Sequence, residues 1–276
     1  MQKIGELTLP DVAVMGVLNV TPDSFSDGGR FDKLDAAREQ ALRLVEEGAD
    51  LVDVGGESTR PGSDSVSLSE ELDRVVPVIE AVIAETGTIV SVDTTKPEVM
   101  REAAAAGAGM INDVRALQDP GALEAAAETG CAVCLMHMQG KPRTMQQNPE
   151  YENVVSDVLA FLAGRVDACE AAGIDRSRLV IDPGFGFGKS VEHNLELLGR
   201  LEAFLALDLP ILAGLSRKST LGAITGREVD DRMPASIVAA AIAVQNGAGI
   251  VRVHDVAPTV DAIRVVQAVG AAASQG

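Results

Sequence analysis

Residues 89–98, IVSVDTTKPE, contain the pattern that decides the fold of this 276-residue chain. A short run suited to a buried strand, residues 89–92, ends at the carboxylate of Asp93, and helix-start signals follow at once. Thr95 and Glu98 have the spacing of a capping box, which marks the start of a helix. The predicted unit is therefore a strand that ends in a polar residue and leads directly into a helix.

The same unit occurs eight times along the chain. The runs are apolar throughout instead of alternating, which is typical of strands buried on both faces in a parallel sheet covered by helices. They lie at residues 12–18, 51–54, 89–92, 110–111, 132–136, 179–181, 211–213 and 250–253. Further helix-start signals are a capping box from Ser67 to Glu70, the pair Asp119-Pro120, and Pro258.

Eight such units in a chain near the ~250 residues of a (βα)8 barrel predict an α/β fold of the TIM-barrel type. We expect one domain over residues 1–276, with the short N-terminal segment at residues 5–10 under the barrel floor. An open, doubly wound sheet is the alternative. It would require a Gly-rich turn after its first strand, and this sequence has none there.

Composition and charge limit the classes of function. The formal net charge is −18 with a pI near 4.5, which disfavours nucleic acid and anionic membranes as partners and favours small-molecule substrates. No apolar run approaches the ~20 residues that span a bilayer. The N-terminus lacks an apolar signal segment, so we expect a cytoplasmic protein.

The cysteines are odd in number. Cys131 and Cys134 form a C-x-x-C pair, and Cys169 stands alone. No second pair completes a zinc site, so we expect buried thiols in a reducing compartment.

Polar residues follow nearly every predicted strand. They are Asn19, Gly55-Gly56-Glu57, Asp93, Asn112-Asp113, His137, Asp182, Ser216 and His254. The carboxyl ends of barrel strands meet at one rim, where the active sites of barrel enzymes lie. Helix capping explains one or two such residues but not the set, because the turns of the opposite rim, residues 46–50 and 106–109, contain only ordinary turn residues.

Three segments on this rim are similar to the signature segments of the dihydropteroate synthases. They are residues 15–29, MGVLNVTPDSFSDGG, residues 55–62, GGESTRPG, and residues 182–189, DPGFGFGK. Shorter matches are SVD at 91–93, IND at 111–113, MHMQG at 136–140, SRKS at 216–219 and RVHD at 252–255. The matches keep the family's order over nearly the whole chain. The resemblance implies a transferase that condenses 6-hydroxymethyl-7,8-dihydropterin pyrophosphate with p-aminobenzoate, giving 7,8-dihydropteroate and pyrophosphate in folate biosynthesis.

A pterin ring explains why acids and amides recur on the rim. Its pyrimidine edge presents an amino group and a ring N–H side by side, and one carboxylate can accept both. Asp182 is the candidate for this contact, and Asp93 and Asn112 then satisfy the remaining ring groups. The resemblance assigns these three the same role and adds Met136, Lys218 and Arg252 as pterin contacts.

The resemblance also implies positions for the second substrate and the leaving group. The p-aminobenzoate contacts are Phe25, Thr59, Arg60, Pro61, Phe187 and Ser216, and sulfonamides would take the same place. The pyrophosphate contacts are Asn19, Thr59, Arg60, Arg252 and His254. The first and eighth strands of a closed barrel are neighbours, which would bring Asn19 to Arg252 and His254.

The implied cofactor is Mg²⁺. This ion prefers oxygen ligands and keeps waters and substrate phosphates, so the amide oxygen of Asn19 can suffice as its protein ligand, with Asp27 as a possible second contact. The implied catalytic residues are Asn19, Asp27, Lys218, Arg252 and His254. They act on a dissociative reaction by positioning and charge stabilisation, not as nucleophiles. The family is further expected to form a homodimer.

Other interpretations of single motifs are weaker. Gly188-Lys189-Ser190 ends like a P-loop, but Pro183 occupies the place of the first glycine, so we expect the glycines of this loop to let backbone approach flat substrates beside Phe187. A Schiff-base role for Lys218 requires a desolvated lysine, whereas Lys218 lies in a polar run. Zinc held by three histidines fails because His193 falls in a helix pattern away from the rim.

Two other classes of protein share parts of the pattern. A pterin-dependent methyltransferase has the barrel and the pterin-reading acids, but residues 19–29 and 216–219 favour the synthase. A noncatalytic pterin-binding paralogue is expected to have lost Arg252, His254 or Lys218, and all three are present.

Overall fold

The computed structural model of the protein describes residues 1–21, 30–58, 66–140, 145–146 and 149–273. A two-stranded antiparallel hairpin, β1 (Gln2–Ile4) and β2 (Leu7–Leu9), precedes eight parallel strands that alternate with helices. In chain order these are β3 (Ala13–Asn19), α1 (Arg30–Glu46), β4 (Leu51–Gly55), α2 (Leu68–Thr86), β5 (Ile89–Asp93), α3 (Pro97–Ala105), β6 (Met110–Asp113), α4 (Ala122–Thr129), β7 (Ala132–Met136), α5 (Val154–Ala171), β8 (Leu179–Asp182), α6 (Val191–Gly199), β9 (Leu212–Ala213), α7 (Ser219–Thr225), α8 (Met233–Gln245), β10 (Ile250–Val253) and α9 (Val256–Ala273). Short 3-10 helices lie at Arg176–Arg178, Leu201–Leu207 and Val229–Asp231.

The parallel strands form a barrel, as predicted. Their order is β8-β7-β6-β5-β4-β3-β10-β9, so the last strand, β10, lies beside the first, β3. A parallel bridge between Ile181 and Ile211 joins the two ends of the sheet. Most strands extend past the predicted apolar runs to include the polar residue that follows, such as Asp93 or Asp182. These rim side chains are therefore held on hydrogen-bonded strands.

The barrel interior is divided into an apolar floor and a polar upper part. The floor packs Met15, Leu51, Met110 and Ile250 from the strands against Ile4 and Leu9 of the hairpin, all of them fully buried. The N-terminal segment thus fills the floor of the barrel, as predicted. Side chains two residues further along a strand point to the same side. Leu51, Ile89 and Ile250 are accordingly followed, two residues on, by Asp53, Ser91 and Arg252.

The helix starts agree with the sequence only in part. Ser67 and Glu70 form the predicted capping box of α2. The predicted Thr95 box was wrong, because α3 begins at Pro97 and has Lys96 as its N-cap, with no side-chain cap hydrogen bond. Proline has no N–H and a fixed φ, so it sets the first helical position itself.

Proline also marks the two other predicted starts. Pro258 lies in the first turn of α9, as predicted. The pair Asp119-Pro120 instead lies ahead of α4, which begins at Ala122 after a left-handed Gly121. The Asp119 carbonyl accepts the Ala122 N–H, so the pair forms a turn before the helix.

α9 is the last helix of the chain. α9 has 18 residues and a mean hydropathy of 1.2, and it is the one described helix long and apolar enough to cross a membrane by length and composition. It packs on the barrel, with Val256, Thr259 and Ile263 buried.

All three cysteines are free and buried, as predicted.

Candidate active site

A charged cluster occupies the barrel interior just below the carboxyl-terminal rim. Arg252 on β10 donates from Nε to Oδ2 of Asp53 at 2.6 Å and from Nη2 to Oδ2 of Asp93 at 3.0 Å. The Asn112 amide on β6 donates to the same Asp53 oxygen at 3.1 Å. The two acids and the amide are each less than one-tenth exposed. Strands β4, β5, β6 and β10 thus contribute to one hydrogen-bonded group that includes three of the predicted pterin contacts.

Burial governs the charges of this cluster. It raises the pKa of the Asp93 carboxyl, the Arg252 charge opposes this shift, and the Asp53 charge adds to it. Burial alone would lower the pKa of the Arg252 guanidinium. The two carboxylates beside it outweigh this effect and raise the pKa well above its ordinary value. Arg252 therefore remains a cation wherever the protein is folded.

Asp182 ends β8 at the same rim and is 5% exposed. Its Oδ1 accepts the Gly184 N–H at 2.7 Å. Burial raises the pKa of the Asp182 carboxyl, while the Gly184 N–H and the Lys218 charge oppose the shift. The side chain is an acceptor placed at the mouth of the barrel, where the sequence predicted it.

The loop that follows β8 packs closely on its neighbour. Gly184 and Gly188 have φ values of 71° and 63°. A Cβ on Gly184 would lie 1.9 Å from the His137 carbonyl oxygen, and one on Gly188 would lie 2.4 Å from that of Gln139. The expectation that these glycines make room for substrate needs correction, because the close approach is to the loop after β7.

Lys189 holds this loop from inside. Its Nζ is 2.9 Å from the Gly184 carbonyl oxygen, 3.1 Å from that of Phe187 and 2.9 Å from Nδ1 of His137. Burial lowers the pKa of Lys189 to about 7, with the Asp182 charge opposing and the Lys218 charge adding to the shift. Burial and the Lys189 charge lower the pKa of His137 to about 3, so its neutral ring can accept from the ammonium.

Lys218 lies beside the same loop. Its Nζ is 3.9 Å from the centroid of the Phe187 ring, a cation–π distance. Burial lowers the pKa of Lys218, and the Asp182 charge opposes this shift. The expectation of a solvated lysine in a polar run needs correction, because Lys218 is half-buried and lies over the Phe187 ring. A Cβ on Gly186 would lie 2.9 Å from its Cδ, so this glycine makes room for the lysine stem.

The other predicted residues that the structure describes, Ser216, His254, Met136 and Asn19, lie at the same end. Ser216 Oγ is 3.0 Å from Nδ1 of His254 and accepts the His254 N–H at 3.2 Å. Met136 is buried at the end of β7, and Asn19 is half-buried at the end of β3. β10 pairs with β3, which confirms the predicted proximity of the first and eighth strands. Phe25, Asp27, Thr59, Arg60 and Pro61 lie outside the described residues.

Two residues of the site were missed in the sequence. Asp53 carried a signal, since it is a carboxylate inside a run expected to be buried on both faces. Lys189 carries no such signal, because the sequence places it only in the family segment at residues 182–189 and in the incomplete P-loop at residues 188–190. His193 is a helix residue, as expected, and accepts the Ser190 N–H. Its expected position away from the rim was wrong, because it lies in the first turn of α6, directly after the rim loop, with its ring 4.9 Å from that of Tyr151. Among the described residues, no three His, Cys, Asp or Glu side chains are placed to hold a metal ion.

The family of pterin binding enzymes matches residues 15–254 of this chain, a range that includes the barrel strands and the charged cluster. The chain is 56% identical over 263 residues to dihydropteroate synthase of Haemophilus influenzae, covering 95% of each chain. It is 53% identical over 262 residues to that of Escherichia coli, covering 95% of this chain and 93% of the relative. The chain belongs to the dihydropteroate synthase family, whose members are transferases of folate biosynthesis.

Solved structures agree with this placement. Dihydropteroate synthase of Xanthomonas albilineans with 4-aminobenzoic acid has a TM-score of 0.91 at 56% identity, covering 96% of this chain and 95% of that one. The same enzyme in complex with 7,8-dihydropteroate gives 0.88 at 54% identity, covering 96% of both chains. The Yersinia pestis enzyme with a sulfonamide drug gives 0.92 at 51% identity, covering 96% and 98%. These similarities confirm the family resemblance and the barrel fold.

Proposed function

We propose that the protein condenses 6-hydroxymethyl-7,8-dihydropterin pyrophosphate with p-aminobenzoate to give 7,8-dihydropteroate and pyrophosphate. The observation that carries this proposal is the Asp182 carboxylate, nearly buried at the barrel mouth and close to the Lys218 cation. Relatives with 54–56% identity have been solved with 7,8-dihydropteroate and with 4-aminobenzoic acid. Both ligands are parts of the proposed reaction.

Each end of the pterin has a partner of matching chemistry in this proposal. Asp182 accepts the ring amino group and the adjacent N–H, and Lys218 donates to the ring carbonyl and nitrogen. Asn112 and Asp93 meet the other edge, with Met136 beneath the ring. Lys218 lies over the Phe187 ring, and its charge interacts with that of Asp182, which supports a donor and an acceptor that serve the same ligand.

The proposed mechanism is dissociative. The bond between the pterin methylene carbon and the pyrophosphate oxygen breaks, and its electron pair leaves with pyrophosphate. Electron donation from the dihydropterin ring stabilises the resulting cation. The p-aminobenzoate nitrogen then forms the new C–N bond and loses a proton to solvent. The protein contributes positioning and charge stabilisation, with Arg252 and His254 on the pyrophosphate side and Ser216 and Phe187 on the arylamine side.

The donor set on this rim fits Mg²⁺. A magnesium ion needs few protein ligands, because it keeps waters and binds substrate phosphate oxygens. The Asn19 amide at the end of β3 offers one oxygen of the required kind, and Asp27 is a second candidate outside the described residues. The bound ion would offset negative charge on the departing pyrophosphate.

Asn19→Ala tests the metal role. The variant should need a higher Mg²⁺ concentration for half-maximal pyrophosphate release, while its affinity for the pterin without pyrophosphate stays near that of the unmodified protein. Asn246→Ala, an amide near the opposite rim, is the control. Equal losses of metal response and pterin affinity would remove Asn19 as the metal ligand.

The reaction itself is tested by pyrophosphate release. Release should require both substrates and Mg²⁺, and 7,8-dihydropteroate should accumulate in equal amount. Sulfonamides should compete with p-aminobenzoate and not with the pterin. Release that is independent of p-aminobenzoate, or the absence of a condensed product, would contradict the proposed function.

The protein is also proposed to act as a homodimer. Val238 and Ile242 are four residues apart on α8, and Val265 and Val269 have the same spacing on α9, which packs against α8. All four side chains are more than one-third exposed, and residues four apart share a helix face. Exposed apolar side chains grouped on neighbouring helices in this way are typical of an interface between copies of one chain.

Light scattering after gel filtration tests the dimer. Val238→Lys with Val265→Lys should give a monomer, whereas Leu68→Lys, an exposed apolar residue on α2, should leave the mass unchanged. A monomeric unmodified protein would contradict the proposal.

A cytoplasmic location also belongs to the proposed function. The three free thiols support it, because thiols stay reduced in the cytoplasm.

A further inference from the structure

Asp53 lies at the centre of the buried cluster, one level below the rim residues that are proposed to meet the pterin. It is 0% exposed on β4. One of its oxygens, Oδ2, accepts from two different strands at once, from Arg252 Nε at 2.6 Å and from the Asn112 amide at 3.1 Å. A single carboxylate oxygen therefore joins two of the residues proposed to contact the substrate.

The contact to Asn112 determines which way that amide faces. An ionised carboxylate only accepts hydrogen bonds, so the amide nitrogen must turn towards Asp53. The amide oxygen is then directed away from Asp53. Asn112 consequently presents an acceptor to a ligand and selects ring groups that donate. Without the carboxylate, the amide could rotate and present either group.

The contact to Arg252 fixes the guanidinium in the same way. Nε is held by Asp53 on β4, and Nη2 is held by Asp93 on the adjacent β5. A planar group anchored at two nitrogens has one orientation. Loss of Asp53 would leave the cation with Asp93 alone, free to pivot about a single contact.

We propose that Asp53 is a positioning residue for pterin recognition, which orients the Asn112 amide and the Arg252 guanidinium without touching the substrate. This inference rests on the proposed function and deepens it. A residue below the pocket would determine which hydrogen-bond donors and acceptors the pocket presents to the pterin. The pattern would favour a heterocycle that donates a hydrogen bond towards Asn112.

The neighbouring residue Ser91 provides a matched control. It is paired with Asp53 in the β4–β5 register and is also 0% exposed. Within the part of the chain that the structure describes, Ser91 Oγ and Asp53 Oδ1 are both buried without a hydrogen-bond partner. Ser91→Ala thus changes a polar side chain in the same layer and leaves the contacts of Arg252 and Asn112 intact.

The test compares Asp53→Ala, Asp53→Asn and Ser91→Ala in the full chain. Asparagine has the shape of aspartate and can place its amide oxygen at the Oδ2 position. It should preserve both hydrogen bonds and retain most of the pterin affinity. Asp53→Ala should weaken binding of 6-hydroxymethyl-7,8-dihydropterin, measured by calorimetry, by about tenfold or more. Ser91→Ala should bind like the unmodified protein.

Steady-state rates separate positioning from a general loss of structure. Asp53→Ala should raise the KM for the pterin substrate and leave the KM for p-aminobenzoate near its original value. If Asp53→Ala does not fold, as judged by circular dichroism, Asp53→Ser is the second variant and should show the same selective loss.

Three results would overturn the inference. Pterin affinity in Asp53→Ala or Asp53→Ser equal to that of the unmodified protein would show that Asp53 orients nothing. Equal rises in both KM values, or an Asp53→Asn variant as weak as Asp53→Ala, would indicate that Asp53 has a structural or purely charge-based role. Failure of the unmodified protein to bind the pterin and release pyrophosphate would instead contradict the proposed function itself.

Discussion

Arg217 and Lys218 are neighbours in the sequence and have different environments in the structure. Arg217 has a φ of 58°, and its guanidinium donates to both oxygens of Asp255, at 2.7 and 3.1 Å. Lys218 instead lies over the Phe187 ring at the barrel mouth. At the scale of the residue, the chemistry of each side chain thus follows from what surrounds it. The hydrogen bonds with Asp255 raise the pKa of Arg217, whereas burial lowers the pKa of Lys218.

Asp182 gives a prediction at this scale. Only the ionised carboxylate accepts both pterin donors, and burial raises its pKa above the ~3.9 of an exposed aspartate. Pterin affinity should therefore decrease as the pH falls from about 7 to about 5, through the Asp182 pKa of about 6. The raised pKa of Asp93 acts in the same direction. Calorimetric titrations across this range test the effect, and an affinity that stays constant to about pH 4 would contradict it.

Asp182→Ala tests how much this contact contributes to the free energy of pterin binding. This change removes two hydrogen bonds to a charged acceptor, each worth about 1.5 to 3 kcal/mol, and should abolish measurable pterin binding. The variant should remain folded by circular dichroism. Near-normal pterin affinity in the folded variant would show that another residue reads the pyrimidine edge.

At the scale of the element, the loop from Gly184 to Lys189 depends on glycines and one buried lysine. The glycines allow the loop to lie against the loop after β7, and Lys189 bonds to carbonyl oxygens within its own loop and to His137 in the other. Phe187 is held by this arrangement, and Phe187 in turn contacts Lys218. The two loops therefore behave as one structural unit at the barrel mouth.

Gly184→Ala should disrupt this unit. Its Cβ would lie 1.9 Å from the His137 carbonyl oxygen, so the backbone must shift, in addition to the cost of a left-handed φ of 71°. Gly173→Ala is the matched control, because φ there is 85° but nothing lies within 4 Å of the added Cβ. The control should lose about 1 to 2 kcal/mol of unfolding free energy and keep full activity. Gly184→Ala should lose more stability and most of its activity. Equal effects of the two changes would show that the clash is relieved without consequence.

At the scale of the whole molecule, the two ends of the barrel have separate tasks. The hairpin of β1 and β2 fills the floor with Ile4 and Leu9, and the polar cluster lies towards the opposite rim. Stability and recognition are therefore spatially divided, as is general for barrel enzymes.

Ile4→Ala tests this division. Ile4 is 0% exposed, and truncating such a side chain should cost about 2 to 5 kcal/mol of unfolding free energy. The KM values of both substrates should not change, because the floor does not contact the rim. Urea denaturation measures the first effect, and Leu205→Ala, whose side chain is 50% exposed, is the control. A changed KM in Ile4→Ala would show that the floor and the site are coupled.

The sequence alone determined the barrel, because eight apolar runs buried on both faces, each followed by a helix signal, fit few other folds. It also determined that Asn19, Asp93, Asn112, Asp182, Ser216 and His254 share one rim, since parallel strands end at the same side. Only the tertiary structure decided the pairing inside that rim. Asp53 and Arg252 are 199 residues apart in the chain, and closure of the barrel brings them to 2.6 Å. The contact of Lys218 with Phe187 and that of Lys189 with His137 likewise join segments far apart in the chain, and no local pattern of residues encodes them.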